Sequence, residues 1–276
     1  MSVKIVVDSS VDLLPEVKAQ VKSVALSVLF GDQEYKDGVT INPEKFYEML
    51  VQSETLPTTS QPTPAAFEDA YRELVEAGHE VLVITIGSKL SGTYQSATIA
   101  AEEFDGKVLV LDSRNAAIGA GLLAMSALKL AEEGLSAQKI LEVLMEKRKK
   151  VRLYAMVDTL EYLKKGGRLS SAVAFVGGVL NLKPIISVED GEIHVIGKAR
   201  GMKAAFSTLS KTCQETGVDL AEPYLLGYTG TSDENLSKYL AENEDLWSAD
   251  CEKLIIGSAI GTHAGPGAVA VAFYAK

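Results

Sequence analysis

The sequence predicts an α/β fold in two domains: an N-terminal parallel-sheet α/β domain and a C-terminal mixed α+β domain. The cleft between them is the expected ligand site. Three observations carry this. Short apolar runs in the first half each end in a polar loop, the pattern of strands buried on both faces of a parallel sheet. Amphipathic stripes of helical period separate those runs. Beyond Lys150 the texture changes, and Glu189-Asp190-Gly191 gives a strong hairpin signal.

Residues 3–7 form the first predicted strand and open into Asp8-Ser9-Ser10. Thr63-Pro64 supplies a helix cap and a first-turn proline. Phe67, Ala70, Tyr71, Leu74 and Val75 then make one helical face, and Gly78 stops the helix. Residues 80–86 and 107–111 repeat the strand pattern, ending in Gly87-Ser88 and Asp112-Ser113. In parallel sheets ligands sit beyond such carboxyl ends. Helices over 116–133 and 136–150 follow, then a strand over 151–157. Strands at 184–188 and 192–196 flank the hairpin turn, and 224–228, 254–260 and 268–274 are further strands. The domain boundary is expected at 155/156, giving domains 1–155 and 156–276.

The chain of 276 residues is 47% hydrophobic, enough to build a substantial core. Its net charge of −10 argues against a nucleic-acid-binding face. The one dense basic run, Lys147-Arg148-Lys149-Lys150, closes a predicted helix, where cations suit the helix dipole. Cys213 and Cys251 match no metal or redox spacing and read as reduced thiols. No apolar run approaches the roughly 18 residues of a membrane span, and the N-terminus reads as a strand rather than a signal peptide. A cytoplasmic location is the resulting expectation.

Four polar constellations are candidates for chemistry. Thr58-Thr59-Ser60-Gln61-Pro62 precedes the capped helix, where hydroxyls and free amides suit an anion. Ser88 to Thr93 follows a buried strand, and Ser91 and Thr93 place hydroxyls where backbone donors converge. It is neither a Walker loop nor a Gly-x-Ser-x-Gly elbow. Lys164-Lys165-Gly166-Gly167-Arg168 puts a guanidinium beyond two glycines. Gly261-Thr262-His263-Ala264-Gly265-Pro266-Gly267 reads as a glycine loop presenting a histidine, an imidazole able to change charge near neutral pH.

Taken in order, Val7-Asp8-Ser9, Thr59-Ser60-Gln61-Pro62, Leu90-Ser91-Gly92-Thr93-Tyr94, Lys165-Gly166-Gly167-Arg168-Leu169-Ser170 and the histidine segment span almost the whole chain. With this ordered set the sequence resembles the DegV family, fatty-acid-binding proteins that include the FakB subunits of bacterial fatty acid kinase. The resemblance implies a long-chain fatty acid in a tunnel between the domains. Its carboxylate would be held by Thr59, Ser60, Ser91, Gly92 and Thr93. Arg168 and His263 would lie at the head group, facing a separate kinase subunit that uses ATP to make an acyl phosphate. The same resemblance implies no catalytic residue, metal or cofactor in this chain, and allows transient membrane contact. Residues 172–180, small and apolar, are candidates for the tunnel wall.

The alternative reading is a serine hydrolase, with Ser91 or Ser60 as nucleophile, His263 as base and Asp8 or Asp112 as orienting acid. A metal-dependent phosphotransferase using Asp8 and Asp112 is a second rival. His79 follows a helix-ending glycine and reads as exposed, His194 in a hairpin strand reads as structural, and Trp247 reads as a packing residue.

Overall fold

The computed structural model describes residues 2–169, 181–248 and 250–276. In chain order the strands are β1 (Val3–Asp8), β2 (Lys22–Val24), β3 (Ser27–Phe30), β4 (Gln33–Lys36), β5 (Thr58–Ser60), β6 (Glu80–Thr85), β7 (Val108–Asp112), β8 (Val151–Met156), β9 (Leu182–Glu189), β10 (Glu192–Arg200), β11 (Leu225–Tyr228), β12 (Lys253–Ile255) and β13 (Val269–Tyr274). The α-helices are α1 (Pro15–Lys18), α2 (Pro43–Gln52), α3 (Pro64–Glu76), α4 (Thr93–Ala101), α5 (Ala117–Glu132), α6 (Ala137–Lys147), α7 (Glu161–Lys165), α8 (Met202–Thr216), α9 (Glu234–Ala241) and α10 (Ser258–Ala264).

Three sheets organise these elements. The first, ordered β2-β1-β6-β7, is parallel throughout. Its central strands are buried on both faces: Val81, Leu82, Val83 and Ile84 are all fully buried. That burial is why the strand runs are continuously apolar instead of alternating. The second sheet, β10-β9-β8-β13-β11-β12, is antiparallel except at β11/β12. The fold is thus mixed α/β, with a parallel-sheet region and a separate mixed sheet, as the sequence predicts. A third, small antiparallel sheet, β4-β3-β5, carries α2 beside it.

Local chemistry explains several boundaries. Thr63 caps α3 by accepting from the Ala66 amide at 3.3 Å, and Gly78, with φ +86°, ends that helix. Asp190 and Gly191 both have positive φ, so β9 and β10 join through a two-residue turn matching the strand twist. Trp247 is a packing residue, fully buried with its Nε1 donating to the Tyr239 hydroxyl at 2.9 Å. His79 bonds Ser2, while His194 is exposed on β10.

Two expectations need correction. The boundary at 155/156 falls inside β8, whose pairing with β9 and β13 makes it part of the mixed sheet. Residues 254–260, read as one strand, divide into the short β12 and the first turn of α10. The break lies at Gly257, where buried carboxylates receive the amides of a new helix. Residues 172–180 lie outside the described residues. Among the described residues, no helix is long and apolar enough to cross a membrane.

A cavity with polar groups at one site

Between the parallel sheet, the mixed sheet and α10 lies a cavity; the atom-free space there, open solvent at its mouth included, is about 900 Å3. Of the 24 described residues that line it, 18 are apolar. The loops after β1, β6 and β7 supply Ser10, Ile86, Leu90, Ser91 and Ala116, and the start of α5 supplies Ala117. The mixed sheet contributes Leu153, Ala155, Ile186, Val188 and Ala270. Ala155 and Ala270 sit opposite each other on β8 and β13, and their small side chains keep the bore open.

The polar groups gather near His263. Thr59 Oγ1 and His263 Nε2 are 2.9 Å apart, across 204 residues of sequence. Arg168 donates from Nε to the Leu90 carbonyl at 3.1 Å and from Nη1 to the Gly166 carbonyl at 2.6 Å. The first bond ties the guanidinium to the residue preceding Ser91. Ser91 Oγ lies 2.9 Å from Thr93 Oγ1. Thr59, Ser91, Arg168 and His263 all line the cavity.

The remaining predicted site residues are placed differently. Thr93 is completely buried at the start of α4, with its hydroxyl on Ser91, so it supports that side chain instead of lining the cavity. Gly92 gives Gln61 room: a Cβ there would stand 2.2 Å from Gln61 Oε1. Gln61 uses the space to donate to Ser96 Oγ at 3.0 Å, joining the β5 segment to α4. Ser60 points the other way. On β5 alternate side chains face opposite sides, so Thr59 reaches the cavity while Ser60 is exposed in a separate surface cleft beside Gln61 and Thr63.

The histidine segment also differs from the glycine loop expected. Residues 258–264 form α10, and only Gly265 and Gly267 have positive φ. Burial and the nearby Arg168 charge push the imidazole down to about 4. His263 is therefore neutral at pH 7, not a group that switches near neutrality. The penalty for charging it is absent above the ordinary value of 6.5 and grows as pH falls toward 4, so this group lowers stability in acid. Its packing is tight. A Cβ on Gly166 would lie 2.2 Å from His263 Nδ1. Gly166→Ala is expected to displace the imidazole from Thr59 and cost about 1–3 kcal/mol, measured by denaturant unfolding; unchanged stability with an unshifted His263 ring resonance would refute this.

What holds α10 in place was not foreseen from the sequence. Asp12 Oδ1 accepts from the Gly257 amide at 2.8 Å, and Asp37 accepts from the amides of Ser258 at 3.1 Å and Ala259 at 3.3 Å. Tyr47 donates its hydroxyl to the Ile256 carbonyl at 2.9 Å. All four side chains of this anchor and its neighbour, Asp8, Asp12, Asp37 and Tyr47, are buried. Burial pushes each carboxyl upward, Asp8 to about 6. Partners 209 to 245 residues away leave no local signature. Only the isolated acids among apolar residues could have hinted at it.

The geometry bears on both rivals. Among the described residues His263 Nδ1 is buried with no hydrogen-bond partner, and none of their carboxylates orients the ring. Asp8 is engaged by the Ser10 amide and hydroxyl and by the Ile86 amide at 2.7 Å. Asp112 braces Ser88 and the Arg114 amide. Among the described residues a serine–histidine–acid relay is not assembled. Among the described residues no three metal-ligating side chains form a group able to hold an ion.

Comparison with known proteins agrees with this architecture. The family model described as "Uncharacterised protein, DegV family" matches residues 2–276. A DegV domain-containing protein of Caldanaerobacter subterraneus is 38% identical over 259 residues, covering 92% of this chain and 91% of that protein. A DegV family protein of Thermus thermophilus, whose structure is described as showing fatty acid binding, superposes with a TM-score of 0.89 at 33% identity over the full length of both chains. A stearic acid-binding protein of Eubacterium ventriosum superposes with a TM-score of 0.84 at 29% identity, covering 99% of this chain and 98% of that one. Sequence match along the whole chain and agreement of fold give one conclusion: the chain belongs to the DegV family.

Proposed function

We propose that this protein binds a long-chain fatty acid, with the acyl chain in the cavity and the carboxylate against Thr59, Ser91, Arg168 and His263, and acts as a carrier for a separate kinase. The observation that carries this reading is the cavity itself, apolar in 18 of the 24 described residues that line it and polar chiefly around His263. The fatty-acid-binding relatives of the same fold support it.

The energetics suit such a ligand. At about 0.8 kcal/mol per methylene, fourteen buried methylenes contribute about 11 kcal/mol before the costs of association. Chain burial then dominates affinity. A carboxylate leaving water requires hydrogen bonds to offset its desolvation, and two hydroxyls with a neutral imidazole provide them. The Arg168 guanidinium adds a charge that an acyl phosphate would engage more strongly than a carboxylate. On this reading the chain works in the cytoplasm, without a cofactor, handing an acyl phosphate onward to phospholipid synthesis.

The test is mass spectrometry of small molecules released from purified, denatured protein. A stoichiometric C14 to C18 fatty acid is expected. Protein that is repeatedly lipid-free and also fails to bind added palmitate or oleate would overturn the binding reading. For the carrier role, Arg168→Ala loaded with fatty acid should lose at least about tenfold in acyl-phosphate formation by a partner kinase. Normal turnover with that variant would remove Arg168 from the role.

A further inference from the structure

The basic run that closes α6 does not behave as one solvated helix end. Lys147 is drawn to one side, where it pairs with both oxygens of Glu222 at 2.9 Å and sits over the Tyr274 ring. Arg148 turns elsewhere, into a cleft walled by three elements. These are the loop after β7 with Arg114 and Asn115, the α6–β8 junction with Arg148, Lys149 and Arg152, and the β9–β10 turn with Glu189 and Asp190. Among the described residues, four cations and two carboxylates line this cleft, in a chain of net charge −10.

The surrounding acids leave much of that charge unmatched. Arg114 meets Asp190 at 3.3 Å, an exposed pair that contributes little. Lys149 is paired with Glu146 in the last turn of α6. Arg148 and Arg152 instead spend donors on backbone carbonyls. Arg148 Nη1 reaches Asp112 O at 2.6 Å, and Arg152 Nη1 reaches Lys149 O at 2.8 Å. Such bonds fix a guanidinium without neutralising it. Among the described residues neither makes an ion pair, and Arg148 Nε is buried with no acceptor. Partial desolvation, and then the Arg114 charge, disfavour the Arg148 cation and outweigh the attraction of Asp112 and Asp190. Arg114 itself occupies a left-handed backbone slot, φ +51°, that glycine or asparagine adopts more easily. Three part-fixed guanidinium groups around one recess form an arrangement that an anion would relieve.

We propose that this cleft is an oxyanion site for a soluble phosphate-bearing molecule, a phosphomonoester or diphosphate, held by Arg114, Arg148 and Arg152. The planar guanidinium fork matches phosphate oxygens in pairs, and several such forks favour a multiply charged group over chloride. The recess between three chain segments selects a compact ligand. Val188 lines both this cleft and the apolar cavity, so the two share a wall. The cleft does not depend on acyl binding.

The test is isothermal titration of the full chain with inorganic phosphate and with pyrophosphate, ionic strength held constant with chloride. Saturable binding of pyrophosphate at one per chain is expected, weakened about tenfold or more by Arg148→Gln and by Arg114→Asn. Arg114→Asn keeps the left-handed backbone comfortable and decides the matter if Arg148→Gln unfolds. Absence of saturable heat beyond the chloride control, or undiminished affinity in Arg114→Asn, overturns the site. So does binding to phosphatidic acid vesicles without binding to soluble pyrophosphate, which would assign the charge to a lipid surface.

Discussion

Ala155→Leu is expected to discriminate among fatty acids by length. The substitution adds three carbons beside Ala270 on the cavity wall, where both side chains line the bore. An acyl chain that extends past this point must give up about three buried methylenes, or about 2.4 kcal/mol at 0.8 kcal/mol each. That is a loss of about 60-fold in affinity. A chain short enough to end before Ala155 should bind as it does to the parent protein. Displacement of a fluorescent fatty acid by a series from decanoate to stearate measures both. Equal losses at every length would mean that the residue props the fold rather than the bore, and no loss at any length would place the acyl chain elsewhere. The new leucine also fills empty space, so the ligand-free variant should melt no lower than the parent.

Asp8→Asn is expected to remove a large part of the pH dependence of stability. Asp8 is fully buried, and burial outweighs its hydrogen bonds from Ser10 and Ile86, raising its pKa from 3.8 to about 6. For a raised carboxyl the folded state holds the proton more tightly than the unfolded state does. Its contribution is therefore complete below 3.8 and is lost as pH rises through about 6. At 1.36 kcal/mol per pH unit the full swing is about 3 kcal/mol. Relative to the parent, Asp8→Asn should gain about this much stability between pH 4 and pH 8, read from urea unfolding at each pH. A difference that stays flat across that range would show that Asp8 titrates normally. His263 works in the opposite sense between 6.5 and about 4, since its proton is disfavoured by folding. The variant should accordingly expose a steeper acid-side loss of stability than the parent shows.

Much of the architecture was legible because it rests on local rules. Continuous apolar runs gave β1, β6 and β7, since a strand covered on both faces needs no polar alternation. Thr63, Pro64 and Gly78 marked both ends of α3, and Asp190-Gly191 marked the hairpin. The small sheet of β3, β4 and β5 with α2 went unread. Its strands are three or four residues long, and β4 is largely exposed, so neither period nor composition distinguishes them from loop. The segment 253–264 misled for a related reason. Apolar residues there suit a strand or a buried helix equally, and the deciding contacts come from Asp12 and Asp37 far upstream.

By itself, the sequence determined the α/β class, the parallel sheet, the polar loops at its strand ends and membership of a family through an ordered set of short motifs. Tertiary structure alone decided how those motifs are used. It turned Thr59 inward and Ser60 outward, because a strand sends alternate side chains to opposite faces. It made Thr93 a support for Ser91, and it converted a histidine expected to switch near neutrality into one held neutral by burial and a neighbouring guanidinium. It also sent Lys147 and Arg148, adjacent in the chain, to different partners. Motifs encode residue types and order. Burial, facing and charge environment depend on which distant segments meet, and those meetings span more than 200 residues at α10.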